Sequence, residues 1–342
     1  MTYKIKATKS LLNLFAITSI SAMTALSFST QAETLKIGHV RPQGSVVDND
    51  IKALNKELMT LSGNDLKLKI YAANALGDYT IVQERVSVGA VDMSLQPAST
   101  STNRKLQLSA LPYLANNWEQ AKKVYGPNSY LRQAMSKIFK QQDIKVLAAY
   151  PVYFGGISLN RTPIEPGNPD SSKGIKLRVP PSKSFQLLAD SLGYIGSPLP
   201  FSEAFTAVQT GVVDGVIGSG AEGYYSSFRD VTKTYIPLNT HFEVWYLMIN
   251  AETFDDLDNK DKKALETAAL HFEQNRWKMA KADQAKNEAR LQKAGAEIIK
   301  ITPEQLAKTA EKVRKVVWPE IMKDMGEDWS KPLLEKIEKQ AQ

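Results

Sequence analysis

The stretch from Gly174 to Ser219 constrains this chain most, because its short patterned runs are closed by proline and glycine. In Gly174-Ile-Lys-Leu-Arg-Val-Pro180, Ile175, Leu177 and Val179 fall on one side of an extended segment and Lys176 and Arg178 on the other. That two-residue period belongs to a strand with one buried face. Pro180-Pro181 cannot continue a central ladder, so Arg178 leaves the strand at its carboxyl end, where open α/β sheets hold their ligands. Phe201 to Gly211 reads as a short helix, with Ser202 as N-cap, Glu203 in the first turn and Gly211 as the stop. Val212 to Ile217 reads as the next strand, which completes the grammar of a wound α/β domain.

An arginine at that strand end suits a carboxylate. Its planar fork gives two parallel charge-assisted hydrogen bonds that a lysine does not reproduce. Arginines near strand ends are also ordinary solvated surface charges, so spacing by itself leaves both readings open.

Gly174-Ile-Lys-Leu-Arg-Val-Pro180, Pro200-Phe-Ser-Glu203 and Gln209-Thr-Gly-Val-Val-Asp-Gly215, in that order, resemble the solute-binding proteins of tripartite ATP-independent periplasmic (TRAP) transporters, dicarboxylate-binding type. The resemblance runs from Leu35-Lys-Ile-Gly-His39 through Leu76-Gly-Asp78 and Leu111-Pro-Tyr113 into the C-terminal helical part. It implies an α/β, two-lobed periplasmic-binding-protein fold with a hinged central cleft and a long helix spanning both lobes. It further implies a receptor without catalysis that hands a small organic anion to membrane permease subunits. Arg178 then clamps the carboxylate and Phe201 lines the same pocket. The corresponding division is a leader at 1–32, lobe I at 33–156 with 244–283, and lobe II at 157–243 with 284–342. Two departures bear on the cargo. Where the family has Gln-Glu-Asn-Pro after its Asp-Gly pair, this chain has Val216-Ile217-Gly218-Ser219; and Gly155 and Pro97 stand where sialic-acid binders carry an arginine and an acid. Sialic acid is therefore disfavoured, and the cargo stays open among organic acids, sulfonates and zwitterions.

Lys4, Lys6 and Lys9 precede an apolar run from Leu11 to about Leu26, and Thr30-Gln31-Ala32 ends it on a small residue, the pattern of a secretory leader. Its removal lowers the formal charge from +7 to +4, because it holds three lysines and no acid. The zero cysteine count excludes a disulfide scaffold, thiol catalysis and a cysteine-borne lipid anchor, and with the leader it points to a soluble periplasmic product. About 310 mature residues exceed the length at which one core stops growing, so two lobes are expected.

Further candidate binding residues lie at strand exits and at the crossing between lobes. His39 closes the first strand, and Gln96 with Ala98 follows the third. Tyr150, Tyr153 and Phe154 stand where the first lobe hands over to the second, and Trp245 stands in the strand that returns. Such aromatics either wall a ligand or simply pack the hinge and core. Gly218 and Ser219 are placed to supply remaining hydrogen bonds. Trp118 to Gln142 reads as one helical pattern, and Asn259 to Ala294 as a helix much longer than the ordinary one.

Enzyme signatures are few. Gly218-Ser-Gly-Ala-Glu-Gly223 fits the dinucleotide pattern, with Glu243 about 20 residues on, and supports an alternative reading as a secreted dinucleotide-dependent oxidoreductase. Against it, a second parallel strand must fit between glycines and acid, and Thr240-His241 leaves that strand barely begun. His39, His241 and His271 are scattered, so no metal and no cofactor are expected. Basic residues form no stripe interleaved with aromatics, which leaves nucleic-acid binding without support, and a monomer is expected.

Overall fold

The computed structural model describes residues 32–342; the expected leader lies outside them. β1 (Glu33–His39), α1 (Val46–Ser62), β2 (Leu66–Tyr71), α2 (Tyr79–Ser87) and β3 (Met93–Gln96) open the chain. A tight turn at Arg104–Ala110 leads to α3 (Trp118–Tyr125), α4 (Tyr130–Lys140) and β4 (Ile144–Phe154). The single helix expected over 118–142 is therefore two. Gly126 takes an extended conformation ahead of Pro127, and the Ser129 hydroxyl caps the new start by accepting from Arg132 N.

The second half comprises β5 (Gly156–Leu159), β6 (Lys176–Val179), α5 (Lys183–Ser191), β7 (Ile195–Pro198), α6 (Phe201–Gln209), β8 (Gly215–Ser219), α7 (Ala221–Gly223), which runs on into a wide turn at Tyr224–Phe228, and β9 (Thr234–Ile236). The chain then returns through β10 (Phe242–Asn250), α8 (Ala251–Asp256), α9 (Asn259–Lys293), β11 (Glu297–Ile298), α10 (Pro303–Met325) and α11 (Glu327–Ala341).

Two sheets result, ordered β2-β1-β3-β10-β4 and β11-β9-β5-β8-β6-β7. β10 runs antiparallel to both β3 and β4, and β5 runs antiparallel to both β8 and β9, within otherwise parallel sheets. Three buried clusters form the core. One packs Leu35, Ile37, Ile51 and Leu58 with Leu265 and Phe272, and a second packs Val208, Val216 and Tyr224 with Leu291. The third runs through both halves, from Ala121, Leu131 and Phe242 to Leu177, Phe185 and Val313.

α9 joins the halves. At about 1.5 Å per residue its 35 residues span roughly 52 Å. It lies on α1 and β4 at one end and on α7 and β11 at the other. It also covers the free edge of β4. Ala149 N donates to Glu273, Phe154 N donates to Gln284, each at 2.9 Å, and Arg276 Nε donates to the Pro151 carbonyl at 2.9 Å. An uncovered edge invites pairing with another chain, and Pro151 is tolerated there because its missing N–H falls on this outer side. The expected boundary placed all of 284–342 in the second lobe. α10 does lie on α5, but α11 packs against α3 and α4 in the first half, so the C-terminus divides between the lobes.

Candidate functional site

Residues just beyond the ends of β1, β3, β6 and β8 line one cavity of about 200 Å³ between the sheets. That volume is below the roughly 300–1,000 Å³ of drug-sized pockets and suits a small solute.

Arg178 stands where β6 gives way to Pro180. It lines the cavity and is only 1% exposed. Nε donates to the Leu199 carbonyl at 2.8 Å, while Nη2 is buried with no partner. Among the described residues Arg178 forms no ion pair. Burial pulls its pKa below the ordinary value, with the Tyr79 phenol and Asp78 opposing. A buried guanidinium lacking a counter-ion is costly, and a carboxylate would satisfy both its charge and its free donor. Phe201 opens α6 in the cavity wall, and its ring centre lies 5.7 Å from the Arg178 guanidinium.

The cavity holds a second arginine that strand periodicity did not mark. Arg41 is 1% exposed; its Nε donates to Glu222 at 2.8 Å, and its Nη2 to the hydroxyls of Tyr153 and Ser219 at 3.2 and 3.3 Å. The guanidinium lies 5.1 Å from the Phe201 ring and 4.9 Å from that of Trp245. Burial opposes its charge, yet Glu222 and Tyr153 hold its pKa above the ordinary value. Arg41 comes from the first half, Glu222 and Ser219 from the second, so the pair ties the lobes together. A signal was present: Val40-Arg41-Pro42 repeats the placing of an arginine just before a strand-ending proline.

Glu243 also faces the cavity. Trp245 Nε1 donates to its Oε1 at 2.7 Å, and His241 Nε2 lies 2.9 Å from its Oε2. Trp245 is thus part of the wall and 1% exposed. Pro97, Ala98, Ser99 and Thr100 form the opposite rim.

Asp78 closes the site from the side. Its Oδ1 accepts from Thr80 N at 3.1 Å as the cap of α2, and its Oδ2 accepts from Ser202 N at 2.9 Å. The capping role expected of Ser202 is therefore filled by Asp78 from the other half; Pro200 is the N-cap residue of α6 and has no side-chain bond to offer.

Several expected wall residues lie elsewhere. Tyr153 faces the cavity, so Phe154, one step on, faces the opposite side and packs edge-on against Trp118 and Phe242 at 5.6 and 5.0 Å. Tyr150 turns toward α9, stacks on Phe272 at 5.1 Å and donates to Asp50 at 2.6 Å. Gln96 donates to the Tyr79 carbonyl at 2.8 Å, and His39 Nε2 lies 3.3 Å from the Asp48 carboxylate; neither is in the cavity wall. Gly218 is in the wall, but Ser219 sits behind it, bonded to Arg41 and to the Tyr153 hydroxyl at 3.0 Å.

The glycine-rich turn gives way to side chains, not to a ligand. A Cβ on Gly218 would fall 2.4 Å from the Pro180 ring, one on Gly220 2.5 Å from the Tyr153 ring, and one on Gly223 2.5 Å from Arg41 Nη2. The glycines end β8 in one sheet, whereas Glu243 stands on β10 in the other. A dinucleotide unit needs both on neighbouring parallel strands, so that reading falls.

Residues 37–324 match the family model described as bacterial extracellular solute-binding protein, family 7 (DctP). A "Solute-binding protein" of Albidiferax ferrireducens is 26% identical over 313 residues, covering 88% of this chain and 89% of that one. A TRAP periplasmic solute-binding protein from Haemophilus influenzae, solved with bound L-gulonate, superposes with TM-score 0.81 at 24% identity, covering 90% of this chain and 99% of that one. The sugar-acid-binding protein DctPAm from Advenella mimigardefordensis, solved with galactonate, superposes with TM-score 0.82 at 21% identity, covering 91% and 99%.

Proposed function

This chain belongs to bacterial extracellular solute-binding protein family 7, and from that premise we propose that its interlobe cavity captures a small organic acid, held through its carboxylate by Arg178, for delivery to the membrane permease of a TRAP transporter. The observation that carries the reading is the buried guanidinium of Arg178 in the cavity wall, which forms no ion pair among the described residues and keeps one nitrogen without a partner. Structural neighbours were solved with L-gulonate and galactonate, so polyhydroxy monocarboxylates are the first cargo class to test. Phe201 and Trp245 supply apolar faces, and the rim at Ala98 to Thr100 supplies hydroxyls and backbone. Closure follows from the ligand's differential affinity for the shut form, because cargo touching both lobes stabilises that form. The protein works in the periplasm after loss of the leader 1–32, and it acts as a monomer.

Thermal unfolding of the exported form with galactonate and related acids tests this. A ligand that binds only the native state raises the midpoint. The rise is expected with the wild type, absent in Arg178→Ala, and small in Arg178→Lys, where the charge remains but the fork is lost. No shift with any acid, together with a shift from a nicotinamide dinucleotide, would overturn the reading.

A further inference from the structure

One carboxylate lines the cavity and a second lies behind Arg41. Glu222, the one behind, is held by Arg41 at 2.8 Å. Glu243, the one in the wall, has no arginine or lysine within 4 Å among the described residues; its neighbours are the Trp245 indole N–H at 2.7 Å and His241 Nε2 at 2.9 Å. The other nitrogen of His241 lies 3.1 Å from the Thr240 hydroxyl. A carboxylate offers about four acceptor positions, and these two contacts use two. Glu243 lines the same cavity as Arg178, and its field helps burial raise the pKa of Tyr153 and Tyr79, both in the wall. The cavity wall thus carries an arginine without an ion-pair partner and a carboxylate without an arginine or lysine partner among the described residues.

From this polarity we infer that Glu243 is the specificity-determining residue of the site: it selects a monocarboxylate whose remainder carries hydrogen-bond donors, hydroxyl or ammonium, and rejects dicarboxylates. The inference rests on the receptor reading and deepens it. A second carboxylate on the cargo would meet the Glu243 carboxylate in a small cavity, where like charges repel. A hydroxyl or ammonium there instead uses the open acceptor positions. Selection by repulsion together with attraction gives sharper discrimination than attraction by itself.

Calorimetric titration of the mature chain with galactonate and galactarate, and with caproate, ε-aminocaproate and adipate, tests it. The wild type is expected to bind galactonate about a hundredfold more tightly than galactarate, and each donor-bearing acid more tightly than caproate or adipate. In Glu243→Gln the galactonate preference is expected to fall to about tenfold or less, through gained galactarate affinity. Thermal unfolding of the unliganded variant establishes that it folds, and the wild-type ranking needs no variant. Galactarate or adipate binding the wild type as tightly as its partner acid overturns the role of Glu243 and leaves the receptor standing. Absence of binding by every acid overturns the receptor reading and this inference with it. Preference between galactonate and ε-aminocaproate identifies the donor as hydroxyl or ammonium.

Discussion

At the scale of single residues, two arginines share the cavity and do different work. Arg178 keeps a free donor, whereas Arg41 spends its contacts on Glu222, Ser219 and Tyr153. Breaking a buried pair from one side leaves an uncompensated charge, and Glu222 Oε1 already lacks a partner. Arg41→Ala is therefore expected to lower unfolding free energy by about 3–5 kcal/mol in urea titrations, and the double change Arg41→Met with Glu222→Leu to recover most of it. A loss below about 1 kcal/mol in the single variant would show that the pair contributes no more than a surface one. Arg178 was legible in the sequence because period-2 alternation and a double proline fix both its direction and its strand end. Arg41 escaped because only one proline follows it and its partner Glu222 lies 181 residues away.

Among elements, the strand exits decide the shape of the wall. Gly218, the last residue but one of β8, has φ +91°, a conformation that side chains rarely adopt, and lies against the ring of Pro180, which follows β6. Two neighbouring strands thus end beside residues that fit each other. Gly218→Ala is expected to destabilise by about 1–3 kcal/mol and to weaken acid binding, since relief of the clash moves Pro180 beside Arg178. Urea midpoints and calorimetry on the one variant check both, and unchanged affinity would mean that the wall relaxes without moving the arginine. The elements themselves were largely readable, because burial imposes its period on each run: β1, β6 and α9 stand where their patterns place them. The break between α3 and α4 was missed because apolar spacing continues across Gly126-Pro127. The wall aromatics in β4 and the strand ends were misassigned by facing: the expected Tyr150, Phe154, Gln96 and His39 serve α9, the core and neighbouring backbone, while Tyr153 and Arg41 reach the cavity.

For the whole molecule, closure is the property that matters. Contacts cross between the halves at Arg41 with Glu222, Asp78 with Ser202 N, the Thr100 hydroxyl with the Pro181 carbonyl at 3.1 Å, and Gln107 with Asp324 at 2.8 Å. α9 and the strand-to-strand crossings at Gly155 and Thr240 leave the halves joined on one side, which is the geometry of a hinge. Small-angle scattering is expected to show a smaller radius of gyration when a bound acid is added to the wild type, and no change in Arg178→Ala under the same conditions. An identical radius with and without saturating acid would mean that the lobes are shut regardless of cargo.

The sequence by itself determined the strand that carries Arg178 and the length of α9, because each is written in a local period or a local stop, while two lobes followed from chain length and the family resemblance. Only the tertiary structure decided which residues meet in the cavity, that Glu243 faces it without an arginine or lysine partner among the described residues, and that Asp78 caps a helix of the opposite lobe. Those meetings depend on how two sheets are brought together, and the pattern within any one segment carries no record of what the other sheet presents to it.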